Sequence, residues 1–436
     1  MELDDANRLS RRRTEWRELW LIAWSMTAAF GCYFCMYGFR RPFTAAGFDG
    51  SAVDQIPFKT VLVTSQVVGY MLAKFVGIKV VAEMPPRRRG AALLWQVLAA
   101  EGALILFGLT PRPWNAACLF LNGLSLGMVF GLVLGFLEGR RVTEMLVAGL
   151  CASFILADGV TKSVGSWLLE QGVTEDWMPA VAGLLFLAPL AMFVAMLTRV
   201  PGPDDLDVAE RAPRPTMSRQ QRWDFLRRYA AGLVPLVVMY LGVTIVRSMR
   251  ADFAPEIWRE LGATIVPSTF TRSELWVALG VLALNGSAIL ISDSRRAFFA
   301  SLAICGAGFT LLAGTLLAQR YARISSFEFM VLLGFSLYLP YVAVHTTVFE
   351  RLLAVTRDHG NLGFLMYLAD AIGYLAYVLF MMTNHYWVGS AGILDLLLGV
   401  CWIVVGVSFV CLLQSVGYFS RISPRPAASA TTEDLA

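Results

Sequence analysis

Twelve long apolar blocks recur along this chain, and they restrict its fold more than any other feature of the sequence. A helix needs about 20 mostly apolar residues to cross a bilayer. Such a helix also satisfies its own backbone hydrogen bonds in lipid, where water cannot do so. The blocks are 18–38, 58–80, 90–110, 114–137, 145–169, 178–198, 230–250, 273–291, 297–318, 326–345, 361–383 and 390–415. The sequence therefore predicts an all-α membrane protein with twelve transmembrane helices.

The composition excludes a soluble globular domain. Hydrophobic residues make up 57% of the chain and charged residues 16%, whereas soluble domains are about one quarter charged. The polar stretch 1–17 leads into an apolar block that is too long for a signal-peptide core and lacks a small-residue cleavage site. We therefore expect the first block to remain as a transmembrane helix.

Positive charges are distributed unevenly between the two sides of the predicted membrane. If the N-terminus lies inside, the inner segments carry 24 lysines and arginines and the outer segments carry 9. Cytoplasmic loops are enriched in these residues. We therefore expect a multi-pass protein of the cell inner (plasma) membrane with both termini in the cytoplasm. The net charge of +4 reflects this topology, and no nucleic-acid partner is expected.

The chain divides into two sets of six blocks. A proline-rich segment of mixed charge separates them and is typical of a linker. This layout is that of the major facilitator fold, in which two six-helix bundles are built from repeated units. The predicted divisions are a cytoplasmic tail 1–17, a bundle 18–198, a cytoplasmic linker 199–229, a bundle 230–415 and a cytoplasmic tail 416–436.

The first blocks of the two halves share a pattern of polar residues. In each block, two such residues and an arginine are spaced i, i+4 and i+7, which places them on one helical face. The residues are Tyr33, Tyr37 and Arg40 in the first block and Tyr240, Thr244 and Arg247 in the seventh. This correspondence favours a duplicated, pseudo-symmetric transporter with a central cavity between its halves.

Four short motifs carry a resemblance to known transporters. They are 37–43 (YGFRRPF), 69–75 (GYMLAKF), 245–247 (IVR) followed by 252–255 (DFAP), and 364–368 (FLMYL). In these places the chain resembles the first, second, seventh and eleventh helices of the organophosphate:phosphate antiporters of the major facilitator superfamily. It is also similar to uncharacterised bacterial membrane proteins near that superfamily, which have no assigned substrate.

The chain departs from the antiporter pattern in two places. The loop 82–87 reads AEMPPR where the antiporters usually have an Asp-Arg pair, and the fifth block has Asp158 and Lys162 where they have a histidine. These differences point to a divergent branch with a different substrate or with none. The resemblance implies a small anionic solute as partner, with a phosphorylated metabolite as one candidate. It also implies a coupling proton or counter-anion.

Several polar residues inside the predicted spans are candidates for binding this solute. A charge inside the membrane costs a few kcal/mol or more, so it usually faces a cavity or a partner. Arg40 and Arg247 close their helices at similar heights, and a guanidinium suits bidentate recognition of phosphate or carboxylate. Lys74 shares a face with Gln66 and Tyr70, and snorkelling to the inner surface is its alternative. The predicted substrate-binding residues are Arg40, Arg247, Lys74, Tyr37, Tyr70 and Tyr367.

Three further charges are candidates for ion or proton coupling. Asp158 and Lys162 are spaced i, i+4 in the fifth block, where they form either a neutralising structural pair or a coupled pair. Asp370 stands alone in an apolar block, on one face with Tyr367 and Tyr374. A lone buried carboxylate fits a proton carrier, and a hydrogen bond to a neighbouring helix is the alternative.

Other residues have structural interpretations. Lys59 lies near a helix start, where we expect it to snorkel, and Arg41 and Arg250 are expected to anchor the outer boundary. The seven cysteines lie within spans and the three histidines are scattered. We therefore expect no metal site and no cofactor. The sequence also offers no nucleotide-binding loop and no nucleophile–base set, so an enzyme is not expected.

The function predicted from these features is secondary active transport of a small anionic solute by alternating access. An alternative from another class is a non-transporting membrane sensor or assembly partner that retains the transporter fold. Uptake by reconstituted protein separates the two, because a sensor binds its ligand without moving it.

Overall fold

A computed structural model gives the fold. It describes residues 2–50, 52–53, 56–138, 140, 142–202, 219–289, 291, 293–356, 362–388 and 392–422. Most of the predicted linker 199–229, the end of the predicted tail 416–436 and His359 lie outside these residues.

Long helices make up nearly all of the described chain. Those of the first half are α1 (Glu2–Tyr37), α2 (Phe58–Glu83), α3 (Pro86–Leu109), α4 (Ala116–Leu126), α5 (Val129–Leu137), α6 (Thr143–Glu170) and α7 (Met178–Thr198). Those of the second half are α8 (Arg219–Asp252), α9 (Ala254–Glu260), α10 (Ser268–Ile289), α11 (Ser294–Arg320), α12 (Ser326–Ala343), α13 (Phe349–Thr356), α14 (Leu362–Val388) and α15 (Ile393–Ser420).

The helices match the predicted apolar blocks. By length and composition, eleven helical segments of the described residues can cross a membrane. The eighth block corresponds to α10, which is less apolar because it carries Arg272, Glu274 and Asn285. The all-α membrane fold predicted from the sequence is therefore confirmed.

Two of the spans are interrupted. The fourth is divided into α4 and α5 at Gly127 and Met128. The tenth passes from α12 through a π-helical turn, Val344–Val348, into α13. Pro340 lies one turn before this π-turn, and a proline inside a helix removes a backbone donor and bends the helix. Single π-turns of this kind are frequent at functional sites.

Small residues allow α2 and α4 to approach closely. A Cβ atom at Gly123 would clash with the backbone carbonyl of Gln66, and one at Gly69 would clash with that of Phe120. Contacts of this kind through small residues are typical of helices packed in membranes. The amide of Gln66 donates to the carbonyl of Arg40 and to Asn122 within the first half, so Gln66 does not line the cavity with Lys74 and Tyr70.

Four helices make the largest contacts between the two halves. The fifth span, α6, packs on the eighth, α10, and the second span, α2, packs on the eleventh, α14. In a duplicated fold, the fifth span corresponds to the eleventh and the second to the eighth. The two contacts are therefore equivalent to each other, as a twofold relation between the halves requires. This arrangement matches the predicted pair of pseudo-symmetric bundles.

The all-α prediction missed one small element. A two-stranded antiparallel hairpin, β1 (Ala52–Val53) and β2 (Ile56–Pro57), lies between α1 and α2. We use this hairpin and the predicted linker to name the two ends of the bundle. The hairpin end carries this hairpin and α9, and the linker end carries the predicted linker.

Candidate functional site

A small polar cavity lies between the two halves. Seven of its lining residues are aromatic, and the other three are a lysine, an aspartate and a histidine. The lining consists of Tyr33, Tyr37, Tyr70, Phe130, Phe154, Tyr341, Tyr374, Lys74, Asp370 and His345. Its volume of about 10 Å³ is at the lower limit for one water molecule. In this structure the cavity therefore leaves no room for a solute.

An ion pair crosses this cavity from one half to the other. Lys74 of α2 pairs with Asp370 of α14, and both side chains are buried. The Lys74 ammonium is also 5.4 Å from the ring centroids of both Tyr70 and Tyr374. Asp370 therefore does not stand alone, and the alternative of a hydrogen bond to a neighbouring helix is the one that the structure shows. The sequence could not reveal its partner, because 296 positions separate the two residues.

Asp370 has two further partners on the second half. Its Oδ1 atom accepts a hydrogen bond from the hydroxyl of Tyr240. The same oxygen lies 3.3 Å from Nε2 of His345, which belongs to the π-turn. Sequence reasoning set His345 aside as one of three scattered histidines. The sequence did contain one sign that His345 belongs to a functional site: it lies one helical turn after Tyr341, in an apolar block that also holds Pro340.

Arg40 and Arg247 come from opposite halves and lie against aromatic residues of the cavity lining, but neither is itself a lining residue. The guanidinium carbon of Arg40 lies 3.8 Å from the ring centroid of Tyr70, and that of Arg247 lies 4.3 Å from the centroid of Tyr341. Both arginines are buried, and both Nε atoms lack a hydrogen-bond partner. Across the described residues neither guanidinium forms an ion pair. Aromatic rings are thus their principal neighbours.

The predicted tyrosines fall in two places. Tyr37 and Tyr70 line the cavity, whereas Tyr367 does not. The Tyr367 ring centroid is 5.8 Å from the Lys74 ammonium, and its buried hydroxyl approaches Gly131 of α5. Only a glycine leaves room there, since a Cβ atom would overlap this hydroxyl. Among the described groups, the Tyr367 hydroxyl has no hydrogen-bond partner.

A second group of charges lies nearer the hairpin end, and we call it the hairpin-end cluster. It contains four cations and four carboxylates: Arg41, Lys59, Lys162, Arg250, Asp158, Asp252, Glu256 and Glu274. Every cation has an acidic partner, so the formal charges balance. Two of its ion pairs, Arg41 with Asp252 and Lys59 with Glu256, join the two halves.

This cluster corrects three expectations about single residues. Lys59 does not snorkel: its buried ammonium contacts Glu256 at 2.6 Å and the carbonyl of Thr44 at 2.8 Å. Arg41 and Arg250 do not anchor the membrane boundary, because both are buried in ion pairs. A buried charge needs a partner, and in this fold carboxylates of other helices supply it.

Asp158 and Lys162 belong to the hairpin-end cluster and do not line the cavity. They form the i, i+4 pair expected from their spacing. Asp158 also lies 3.2 Å from Nε of Arg41, whose guanidinium continues to Asp252 on the other half. The pair is therefore part of a chain of charges between the halves. Its role in ion or proton coupling stays a prediction.

Comparisons with known proteins give a family and a fold. A family model described as "Family of unknown function (DUF5690)" matches residues 42–422. No curated protein matches the sequence.

Solved structures of transporters share the fold. A D-xylose-proton symporter matches with a TM-score of 0.59 and 15% identity over 93% of this chain and 99% of that chain. An auto-inhibited POT family peptide transporter gives 0.59 and 14% over 95% and 99%. The human organic anion transporter MFSD10 (TETRAN) gives 0.56 and 15% over 89% and 99%. At this identity the likeness establishes the major facilitator type of fold.

Proposed function

The chain belongs to a family of unknown function (DUF5690), and we propose that it is a secondary active transporter that moves a small anionic solute by alternating access. The observation that carries the proposal is the pair Arg40 and Arg247. One comes from each half, both are buried against aromatic residues that line a single cavity, and neither has an ion-pair partner among the described residues. A phosphorylated metabolite is one candidate for the solute, with a proton or a counter-anion as the coupled ion.

The charges around the cavity favour an anionic ligand. Lys74 and Asp370 line the cavity as an ion pair, and two further cations, Arg40 and Arg247, lie against its aromatic lining, so three cations meet one carboxylate in this region. Cations held in a medium of low dielectric attract anions strongly and raise their local concentration. Two guanidinium groups on opposite halves also suit bidentate contact with the oxygens of one phosphate or carboxylate group. A bound anion would offset charges that the protein itself leaves uncompensated.

The aromatic lining suits a ligand that comes and goes. A ring face attracts a cation, but by only about 0.5–2 kcal/mol. A phosphate or carboxylate oxygen forms a stronger, charge-assisted hydrogen bond. Tyr70 and Tyr341 can therefore hold the two arginines in the empty protein and release them to a ligand. The same rings offer apolar contact to the organic part of a solute.

Entry of a solute requires the halves to separate. A cavity of about 10 Å³ cannot hold a metabolite, because ligand pockets measure roughly 300–1,000 Å³. Opening the hairpin end would break the pairs Arg41–Asp252 and Lys59–Glu256, whereas opening the linker end would leave them intact. An anion that touches both Arg40 and Arg247 would favour the closed form through its contacts with both halves.

Binding and uptake measured side by side test the proposal. We expect purified protein to bind phenyl phosphate and inorganic phosphate in calorimetry. Arg40→Ala and Arg247→Ala should each abolish binding, whereas Arg112→Gln, at a half-exposed loop site, serves as the matched control. Proteoliposomes preloaded with phosphate should take up labelled phosphate. Binding without uptake would favour the sensor alternative, and failure of both would refute the proposal.

The orientation of the protein forms part of the proposal. The bias of 24 against 9 positive charges supports cytoplasmic termini and a cytoplasmic linker in the cell inner membrane. A cysteine introduced at Gly202 should react with an impermeant maleimide only after the cells are opened. Reaction in intact cells would reverse the orientation.

A further inference from the structure

The geometry around His345 determines which of its nitrogens can gain a proton. Nδ1 lies 3.0 Å from the carbonyl oxygen of Tyr341, which can only accept, so Nδ1 carries a hydrogen and donates. Nε2 is then the atom left to bind a further proton. It lies 3.3 Å from Oδ1 of Asp370 and 3.3 Å from the hydroxyl of Tyr240. A proton gained by His345 is therefore placed against Asp370.

We infer that His345 is the proton-binding residue that couples a proton to the anion in this cavity, by competing with Lys74 for Asp370. The inference rests on the proposed function and adds the coupling ion and its site. One proton from solution binds Nε2 and becomes a donor to Asp370. Because Asp370 then has a second cation, the Lys74 ammonium can turn to the solute. After protonation, the cavity and the two arginines that lie against its lining together have four cations and one carboxylate, and so attract an anion more strongly.

The surroundings of the imidazole leave Asp370 as its acidic partner. From the first half, Lys74 of α2, the ring of Phe130 and Cys151 of α6 lie near the pair. From the second half, Tyr240 and Tyr341 contact the ring of His345, and Arg247 lies over Tyr341. Asp370 is the one carboxylate that the described residues place within 4 Å of His345. Histidine is also the side chain whose ordinary charge change falls between about pH 5 and 8.

The π-turn places His345 where this exchange can occur. The turn, Val344–Val348, is followed by α13, and Thr347 within it bonds Ser301 of α11 through its hydroxyl. The turn is therefore fixed to a neighbouring helix. Tyr240 has one hydroxyl hydrogen, which it donates to Asp370 in the structure. Protonation of His345 provides Asp370 with a second donor from the same side, opposite Lys74.

Sulfate is the probe for this inference, because its charge stays at −2 from pH 5.5 to 8. We expect wild-type protein to bind sulfate at least about tenfold more tightly at pH 5.5 than at pH 8, because one linked proton changes the affinity by up to about tenfold per pH unit. His345→Asn should bind equally at both values. Asp370→Asn should bind at pH 8 as tightly as the wild type does at pH 5.5, since Lys74 is then free. The matched control is His385→Asn, because His385 lies about 22 Å from Asp370 along α14 by helical rise.

The outcomes separate this inference from the proposed function. Equal binding by the wild type at both pH values would overturn the coupling role alone. Retained pH dependence in His345→Asn, or its loss in His385→Asn, would move the role to another residue. If His345→Asn does not fold, the gain in affinity of Asp370→Asn at pH 8 decides, because a structural role for the ion pair predicts a loss. No binding of sulfate or phosphate at either pH would overturn both proposals.

Discussion

The hairpin-end cluster and the cavity contain the same kinds of side chain and differ in their balance. In the cluster, four cations meet four carboxylates, whereas around the cavity three cations meet one. Adjacent residues divide between the two regions: Arg41 joins Asp252, and Arg40 lies over Tyr70. A balanced set of buried charges holds the halves together. An unbalanced set is available to a ligand.

The comparison predicts the largest effect on stability in the cluster. Asp252 accepts from both Arg41 and Tyr377, so Asp252→Ala leaves a buried guanidinium with a single remaining partner. Removing one member of a buried pair costs about 3 kcal/mol or more. We expect a loss of this size in the free energy of unfolding, measured by denaturant titration in detergent micelles.

The matched control for Asp252→Ala is Arg40→Met. Arg40 has no ion pair among the described residues, and an apolar side chain of similar length keeps the contact with Tyr70. This change should leave stability unchanged or raise it, because a buried cation is removed without leaving a charge unpaired. Equal losses in the two variants would mean that the two regions do not differ in the way proposed.

The second prediction concerns affinity at the cavity. Arg40→Lys and Arg247→Lys should each weaken phosphate binding about 100-fold, nearly as much as alanine does. A lysine keeps the positive charge and loses the planar pair of donors that fits two oxygens. Calorimetric titration with phosphate provides the measurement, and about 2.7 kcal/mol corresponds to this factor.

Arg250→Lys is the control for these lysine variants. Arg250 pairs with Glu274 at 2.7 Å in the hairpin-end cluster. The Arg250→Lys substitution should lower the free energy of unfolding and leave the phosphate affinity within about threefold of that of the wild type. A tenfold or larger loss of affinity would show that the cluster takes part in binding.

A smaller effect is expected for the pair at the edge of the cluster. Lys59 and Glu256 join the halves, but the Glu256 side chain is 20% exposed, so water screens part of the attraction. A double-mutant cycle with Lys59→Met and Glu256→Gln should give a coupling energy of about 1 kcal/mol. A coupling energy near zero would remove this pair from the contacts that close the hairpin end.

The sequence was sufficient to predict the fold because membrane helices are specified by local composition. Apolar length gave the spans, and the matched arginines of the first and seventh blocks indicated two related halves. It also selected Lys74 and Asp370 as charges that needed an explanation. Which charges pair with each other depends on how the helices are arranged, and several carboxylates within or beside the predicted spans were available to Lys74. Spacing alone could not choose among them.

The errors at the site share one physical cause. Lys59, Arg41 and Arg250 lie near predicted helix ends, where water or lipid headgroups usually receive a charge. In this protein the ends of α1, α2 and α8 meet, so these cations become buried and need carboxylates. His345 was missed for the converse reason. Its importance comes from Asp370 and Tyr240, on other helices, and a single histidine in an apolar block gives no sign of them.

The smallest effect is expected at Arg112, which tests whether burial is what separates these ion pairs. Its guanidinium donates to Asp176 at 2.9 Å and to Glu175 at 3.1 Å, so its geometry matches that of the buried pairs. All three residues belong to loops of the first half, and their side chains are 27% to 33% exposed. Exposed pairs contribute about 0–1 kcal/mol. We therefore expect Arg112→Gln to lower the free energy of unfolding by less than about 1 kcal/mol.

Salt provides the discriminating measurement for Arg112. Added salt screens exposed charges over about 10 Å at 0.1 M and about 3 Å at 1 M, and it screens buried charges much less. The loss caused by Arg112→Gln should therefore shrink at 1 M salt, whereas the loss caused by Asp252→Ala should persist. Uptake should be unchanged, because the Arg112 contacts stay within one half and do not need to break when the halves separate. A loss for Arg112→Gln as large as that for Asp252→Ala, and equally resistant to salt, would show that position between the halves and burial do not determine the strength of these pairs.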